Sequence, residues 1–213
     1  MNNDITIVTG FGRCGTSLVM QVLCAAGTEC TGNWPLFENE EVFPTNFNKN
    51  WVADQKGKAV KVLEADNAAH KLDGLPIRTI WVRRSYLQQA RSMAKLASMV
   101  VQKSLPSEQE LMMVAKQWKK RTFMALTDFA KMGPLMIVDF EDLIYPMIDT
   151  YTKIAEFMDY PWIHDEEQAE EAMKKMIMCV EPRTIDAQPD FEVEERLHNQ
   201  SAPLAFQYQV KGE

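Results

Sequence analysis

The sequence is poor in the residues that bind metals or cross-link chains. Its four cysteines, at positions 14, 24, 30 and 179, are spaced like no zinc site, and three histidines add little to them. Reduced, partly buried thiols fit this usage, and no metal is expected. No apolar run approaches the roughly 20 residues needed to cross a bilayer. The opening Met1-Asn2-Asn3-Asp4 has neither the basic nor the apolar region of a secretory leader. Positive charge is in deficit: 23 Lys and Arg against 30 Asp and Glu give a net charge of −7. That balance argues against a nucleic-acid partner held on a broad basic face, while a local basic pocket for a small anion is compatible with it. There is also no internal repeat, low-complexity tract or dividing linker. The expectation is one domain over residues 1–213, in the cytosol, without a membrane span.

What is present is ordinary globular material: 213 residues, 46% hydrophobic and 25% charged. The 14 methionines fall mostly at helical spacing and read as core filler. Short β-branched runs predict strands at Ile5–Thr9, Lys58–Leu63, Pro76–Val82 and Leu135–Val138. Helices are predicted over Thr16–Ala26, stopped by Gly27, and from Ser85 to about Val101, where Ser85 and Gln88 form a capping-box pattern. A second such pattern, Ser107 with Glu110, opens a helix that Gly133-Pro134 ends. Two more follow at about Pro146–Met158 and Asp165–Met178, the latter with acids first and lysines last. Residues 42–57 read as irregular with one short helix. Alternating strands and helices predict a three-layer α/β fold with a mainly parallel central sheet and flanking helices. Ligands of such sheets bind beyond the carboxyl ends of the strands. One rim then gathers the turn after the first strand, Glu64, Arg84 and Asp139.

The turn after the first strand, Gly10-Phe11-Gly12-Arg13-Cys14-Gly15-Thr16-Ser17, is glycine-rich and runs straight into a helix. Such a turn folds tightly, aims backbone N–H groups inward and presents a positive helix end to an anion. The spacing is that of a P-loop, Gly, four residues, Gly, but Thr16 stands where the lysine belongs. That lysine clamps the terminal phosphates of a nucleoside triphosphate, so triphosphate chemistry loses its main charge contact. Arg13, inside the turn, supplies a cation instead. Arg84 ends the third strand, and Ser92 follows eight residues on, a little over two helical turns.

With these residues in view, Gly10–Leu18 is similar to the 5′-phosphosulfate loop of sulfotransferases that use 3′-phosphoadenosine 5′-phosphosulfate (PAPS). Cys14 departs from the serine usual there, which loses a hydroxyl. Ile80-Trp81-Val82-Arg83-Arg84-Ser85 through Ser92 resembles the family's 3′-phosphate element, with Ser85-Tyr86 where Asp-Pro is common. Val138-Asp139-Phe140-Glu141-Asp142-Leu143 and Ile154–Met158 resemble its later strand and helix. The resemblance implies a P-loop-like sulfotransferase fold, with a nucleotide-binding core over residues 5–160 and a helix plus tail over 161–213. It implies PAPS as sulfuryl donor, PAP as product, no metal, and a small-molecule, lipid or saccharide acceptor. Gly12, Arg13, Cys14, Gly15, Thr16 and Ser17 would hold the 5′ end, and Arg84 and Ser92 the 3′-phosphate. Arg13, assisted by Lys61, would offset charge on the leaving oxygen. Pro35-Leu36-Phe37-Glu38 resembles the loop from which some members draw a general base. Glu38 is therefore the first choice, ahead of Glu41 and Glu64, with His70 a few residues too late. The alternatives are a P-loop kinase or hydrolase, and a non-catalytic nucleotide-binding domain of the same fold.

Overall fold

The computed structural model describes residues 4–101, 105–145 and 147–180. Four strands form one sheet: β1 (Ile5–Gly10), β2 (Ala59–Leu63), β3 (Ile77–Arg83) and β4 (Leu135–Asp139). Their order is β2-β1-β3-β4 and all pairings are parallel. Parallel pairing brings all four carboxyl ends to one rim, as the alternating pattern required.

Side-chain alternation sorts the core into two layers. Val8, Ile80, Val82 and Val138 face α1 (Thr16–Ala25), α7 (Ile148–Phe157) and α8 (Glu166–Met178), packing on Val19, Met20, Tyr151, Ile154 and Met176. Ile5, Ile7, Val62, Ile77 and Trp81 face α3 (Ala65–Leu72) and α5 (Glu108–Met132), meeting Ala69, Leu72, Ala125 and Phe129. Trp81 stacks edge-on to Phe129 at 5.9 Å between ring centroids, a geometry aromatic quadrupoles favour. The three-layer α/β expectation holds.

Several local expectations hold as well. α5 opens on a complete Ser107–Glu110 capping box, and α8 is capped by Asp165. Irregular residues 42–57 contain one short helix, α2 (Lys49–Ala53). A single helical turn, Glu40–Val42, precedes it.

Others are corrected. α3 has no counterpart among the expected helices, although Ala65, Ala68, Ala69 and Leu72 repeat at helical intervals and are all buried. Nor does α6 (Phe140–Ile144), five residues long and burying Phe140, Leu143 and Ile144. Around α4 (Tyr86–Val101), the expected Ser85–Gln88 box gives way to a tertiary contact. The Ser85 amide donates to Glu141 Oε1 at 3.0 Å, and the Gln88 side-chain oxygen accepts from Arg84. The methionines divide: Met20 and Met176 are buried, but Met113, Met124 and Met178 face solvent. The start of the expected helix at Pro146, and the tail from residue 181 with Arg183, Phe191, Arg196, Phe206 and Tyr208, lie outside the described residues.

The outer edge of β2 is partly covered. Ala59 N–H donates to the Glu29 carbonyl and Thr31 N–H to the Ala59 carbonyl, each at 2.9 Å. Cys30 is thereby bridged in parallel to Ala59. This short stub leads directly into the loop that carries Glu38.

Candidate active site

The turn between β1 and α1 lies at the carboxyl rim. Arg13 and Gly15 both adopt left-handed backbone, at φ 69° and 104°. Glycine reaches that region freely; arginine does so at a cost. Gly15 has a second reason to lack a side chain, since a Cβ there would meet the Phe140 ring at 2.3 Å. Gly15 is also the N-cap of α1. Among the described residues no side chain caps that end and no acid stands in its first turn, so the amides and dipole of α1 open at the rim.

Around this opening the chain gathers cations and hydroxyls. Arg13 Nε donates to Ser92 Oγ at 3.2 Å, and the Arg13 carbonyl accepts from Arg84 Nη1 at 3.2 Å. Arg84 and Ser92 are two helical turns apart in the chain, yet both meet Arg13. The Arg84 guanidinium lies over the Phe140 ring, 4.7 Å from its centroid, a favourable cation–π contact. The neighbouring Arg83 is committed elsewhere: it forms a bidentate pair with Asp139, its register partner on β4, at 2.5 and 2.6 Å. That hydrogen bonding raises the Arg83 pKa further.

On the other side of the opening stands Lys61. It is the middle residue of β2, its side chain is 3% exposed, and it points to the α1 side. Its ammonium donates to Ser17 Oγ at 3.0 Å, to the Leu36 carbonyl at 2.7 Å and to Glu38 Oε1 at 3.3 Å. Burial lowers its pKa, and Glu38 opposes that shift. A solvent-facing strand lysine is therefore ruled out. Lys61 ties the glycine turn's helix to the loop bearing Glu38, two regions 23 residues or more away in sequence.

The remaining expected residues divide. Thr16 is buried beneath the turn, and Gly12 abuts Met93 of α4, whose Cε would lie 2.7 Å from an added Cβ. Cys14 is buried in the turn: its amide donates to the Phe11 carbonyl, its thiol is 1% exposed, and burial pushes its pKa up to about 12. Glu41 accepts from Asn48 at 3.0 Å and belongs to the scaffold of its loop. Glu64 stands at the rim in left-handed backbone, at the N-cap position of α3 but without a side-chain cap, and accepts from the Asn67 side chain at 2.9 Å. His70 is the sixth residue of α3, about 8 Å along a helix that leads away from the rim.

Three residues at the site went unrecognised as such in the sequence. Gln89, 2% exposed, donates its amide to the Phe11 and Gly12 carbonyls at 2.9 and 2.8 Å. Phe140 touches the glycine turn and carries Arg84. Glu141 holds the amide of the residue after Arg84, and its burial raises its pKa. A polar pair beginning a helix next to Arg84 was the signal for Gln89. Nothing in residue spacing pointed to the other two.

No family model and no curated protein sequence matches the chain. Among solved structures it is similar to mouse sulfotransferase SULT7A1 complexed with PAP, with a TM-score of 0.53 over 82% of this chain. The fold is the sulfotransferase fold. Identity is 14%, and the match spans 65% of the mouse chain. At that distance the likeness speaks for the sulfotransferase fold alone. Among the described residues no three His, Cys, Asp or Glu side chains cluster to hold a metal, and no helix is long and apolar enough to cross a membrane.

Proposed function

We propose that the chain transfers a sulfuryl group from PAPS to a hydroxyl or amine of an acceptor, releasing PAP. The observation that carries this reading is the meeting of the uncapped α1 end, Arg13, Arg84 and Ser92 in one cluster, with the Lys61–Glu38 pair beside it. Three cations, Arg13, Arg84 and Lys61, gathered around one helix end fit a ligand that is anionic at two places. A PAP-bound neighbour of the same fold agrees.

PAPS supplies, when bound, an activated sulfuryl group on a phosphate leaving group. The amides of Gly12, Gly15, Thr16 and Ser17 receive its 5′ end, and Arg84 and Ser92 its 3′-phosphate. Glu38 takes the proton of the acceptor as the acceptor oxygen or nitrogen bonds to sulfur. The sulfur–oxygen bond to the 5′-phosphate breaks and its electron pair stays on the phosphate, where Arg13 and Lys61 offset the charge. Glu41 and Glu64 are the alternative bases. Glu38 is favoured because Lys61 holds it beside the first turn of α1. The proposal takes the chain as one domain, with its core over residues 5–160, acting in the cytosol on a small-molecule, lipid or saccharide acceptor. It involves neither metal nor nucleic acid.

Calorimetric titration tests it. PAP is expected to bind at least tenfold more tightly than AMP, which lacks the 3′-phosphate, and labelled PAPS to transfer its sulfur to a member of an acceptor panel. Equal affinity for PAP and AMP would remove the 3′-site assignment. Binding of ATP–Mg²⁺ in preference to PAP would favour a kinase or hydrolase.

A further inference from the structure

α4 reaches the rim with two consecutive glutamines, and they are used in opposite ways. Gln88 offers its side-chain oxygen to Arg84. Gln89 offers its nitrogen to the glycine turn, donating to the Phe11 carbonyl at 2.9 Å and to the Gly12 carbonyl at 2.8 Å. The orientation of that amide follows from its partners, because carbonyls only accept and one end alone of a glutamine amide donates. Gln89 is fully enclosed, and its own N–H is tied to the Ser85 carbonyl at 2.9 Å. The turn packs directly on α4 at this point: a Cβ on Gly12 would stand 2.7 Å from Met93 Cε. The next carbonyl along, that of Arg13, accepts from Arg84. Three successive carbonyls of the turn are thus held by two side chains, Gln89 and Arg84. What holds a carbonyl also aims an amide. A peptide is planar, and in the trans form its N–H points opposite to its C=O. The Phe11–Gly12 and Gly12–Arg13 peptides are both trans. Drawing their carbonyls onto Gln89 therefore turns the N–H groups of Gly12 and Arg13 away from α4. Gly12 lends a soft dihedral to the rotation of either peptide, so the backbone alone resists a flip only weakly.

We propose that Gln89 is a positioning residue for the 5′ end of the donor: by holding the Phe11 and Gly12 carbonyls, it fixes the Gly12 and Arg13 amides as donors to the 5′-anion. This inference rests on the sulfuryl-transfer reading and names the residue that sets the geometry of its 5′ site. Gln89 acts through the turn and not on the nucleotide. Its loss leaves two carbonyls without their donor and frees two amides to turn from the anion. The 3′ site, built on Arg84 and Ser92, does not depend on it.

Calorimetric titration of the full chain with PAP and with 3′-AMP, which lacks the 5′-phosphate, reads the 5′ site by difference. In the parent chain PAP is expected to bind roughly tenfold more tightly than 3′-AMP, or better. Gln89→Met keeps the length of the side chain and loses the donor. It weakens PAP by roughly tenfold and leaves 3′-AMP within about twofold, so that most of the advantage of the 5′-phosphate disappears. Gln89→Asn, still an amide but one methylene short of the turn, shows the same selective loss to a smaller extent. Retained 3′-AMP binding shows in the same titration that each variant is folded. PAP affinity that neither substitution moves overturns the proposal, as does a loss shared equally by PAP and 3′-AMP, which would make Gln89 a residue of general stability. In those cases PAP still binds the parent chain and the sulfuryl-transfer reading stands. Failure of PAP to bind the parent chain removes that reading and this inference together.

Discussion

At the amino ends of the strands, Arg78 is closed off. Its guanidinium meets Asp159 at 3.1 Å and Asp4 at 3.8 Å, donates to the Phe157 carbonyl and lies 5.5 Å from the centre of the Phe157 ring. It lines a cavity of about 20 Å³, room for a single water. At the carboxyl ends, Arg13 donates to Ser92, Arg84 donates to Gln88 and the Arg13 carbonyl, and Lys61 divides its bonds among Ser17, the Leu36 carbonyl and Glu38. Both rims hold positive charge against the same sheet. Arg78 spans two carboxylates, whereas Arg13, Arg84 and Lys61 converge on the turn where we propose that the donor binds.

Four substitutions press on this contrast. Glu38→Gln is expected to lower turnover with PAPS by roughly 10²- to 10⁴-fold while PAP affinity, measured calorimetrically, stays unchanged. Near-normal turnover would move the base to Glu41 or Glu64. At the opposite rim, Arg78→Ala should cost about 2–3 kcal/mol of stability. That is less than the loss of a fully buried pair, because Asp159 is largely exposed. Urea unfolding measures it, and a midpoint equal to that of the parent chain would break the contrast.

Arg84→Ala should do the reverse. PAP binding weakens roughly ten- to a hundredfold, whereas the urea midpoint moves by no more than the equivalent of about 0.5 kcal/mol. A large stability loss would place Arg84 with Arg78. The smallest effect is expected from Glu141→Gln, under about 1 kcal/mol. Burial holds the Glu141 carboxyl above the ordinary carboxylate range. The folded chain therefore binds more protons than the unfolded chain just above pH 4, and this group's contribution to stability falls as pH rises through that window. Urea midpoints measured between pH 4 and 7 should fall less steeply for the variant.

The fold was legible because its signals are local. β-branched runs gave the strands, Ser107 with Glu110 gave the start of α5, and Gly10–Gly15 gave the turn. Arg13, Arg84, Ser92, Lys61 and Glu38 were singled out by the resemblance of their stretches, and the sheet brings them to one rim. What the sequence hid is contact between distant elements. Phe140 reads as one more apolar residue after a strand, yet its ring meets Gly15 and Arg84. Glu141 reads as a surface acid, yet it takes a hydrogen bond that local spacing assigned to Gln88. Cys14 reads as one more residue of the glycine turn; only the fold shows its amide closing the turn onto Phe11 and its thiol buried.

The stub at Glu29–Thr31 has a consequence for solubility. An uncovered outer strand offers a row of backbone groups to any other chain, and edge-to-edge pairing of that kind begins many aggregates. By pairing with Ala59, the stub occupies the start of β2's outer edge, and the same three residues launch the loop that ends in Glu38. Substitutions there would show first as material lost to precipitation during expression, and only afterwards as a change in the chemistry of the surviving fraction.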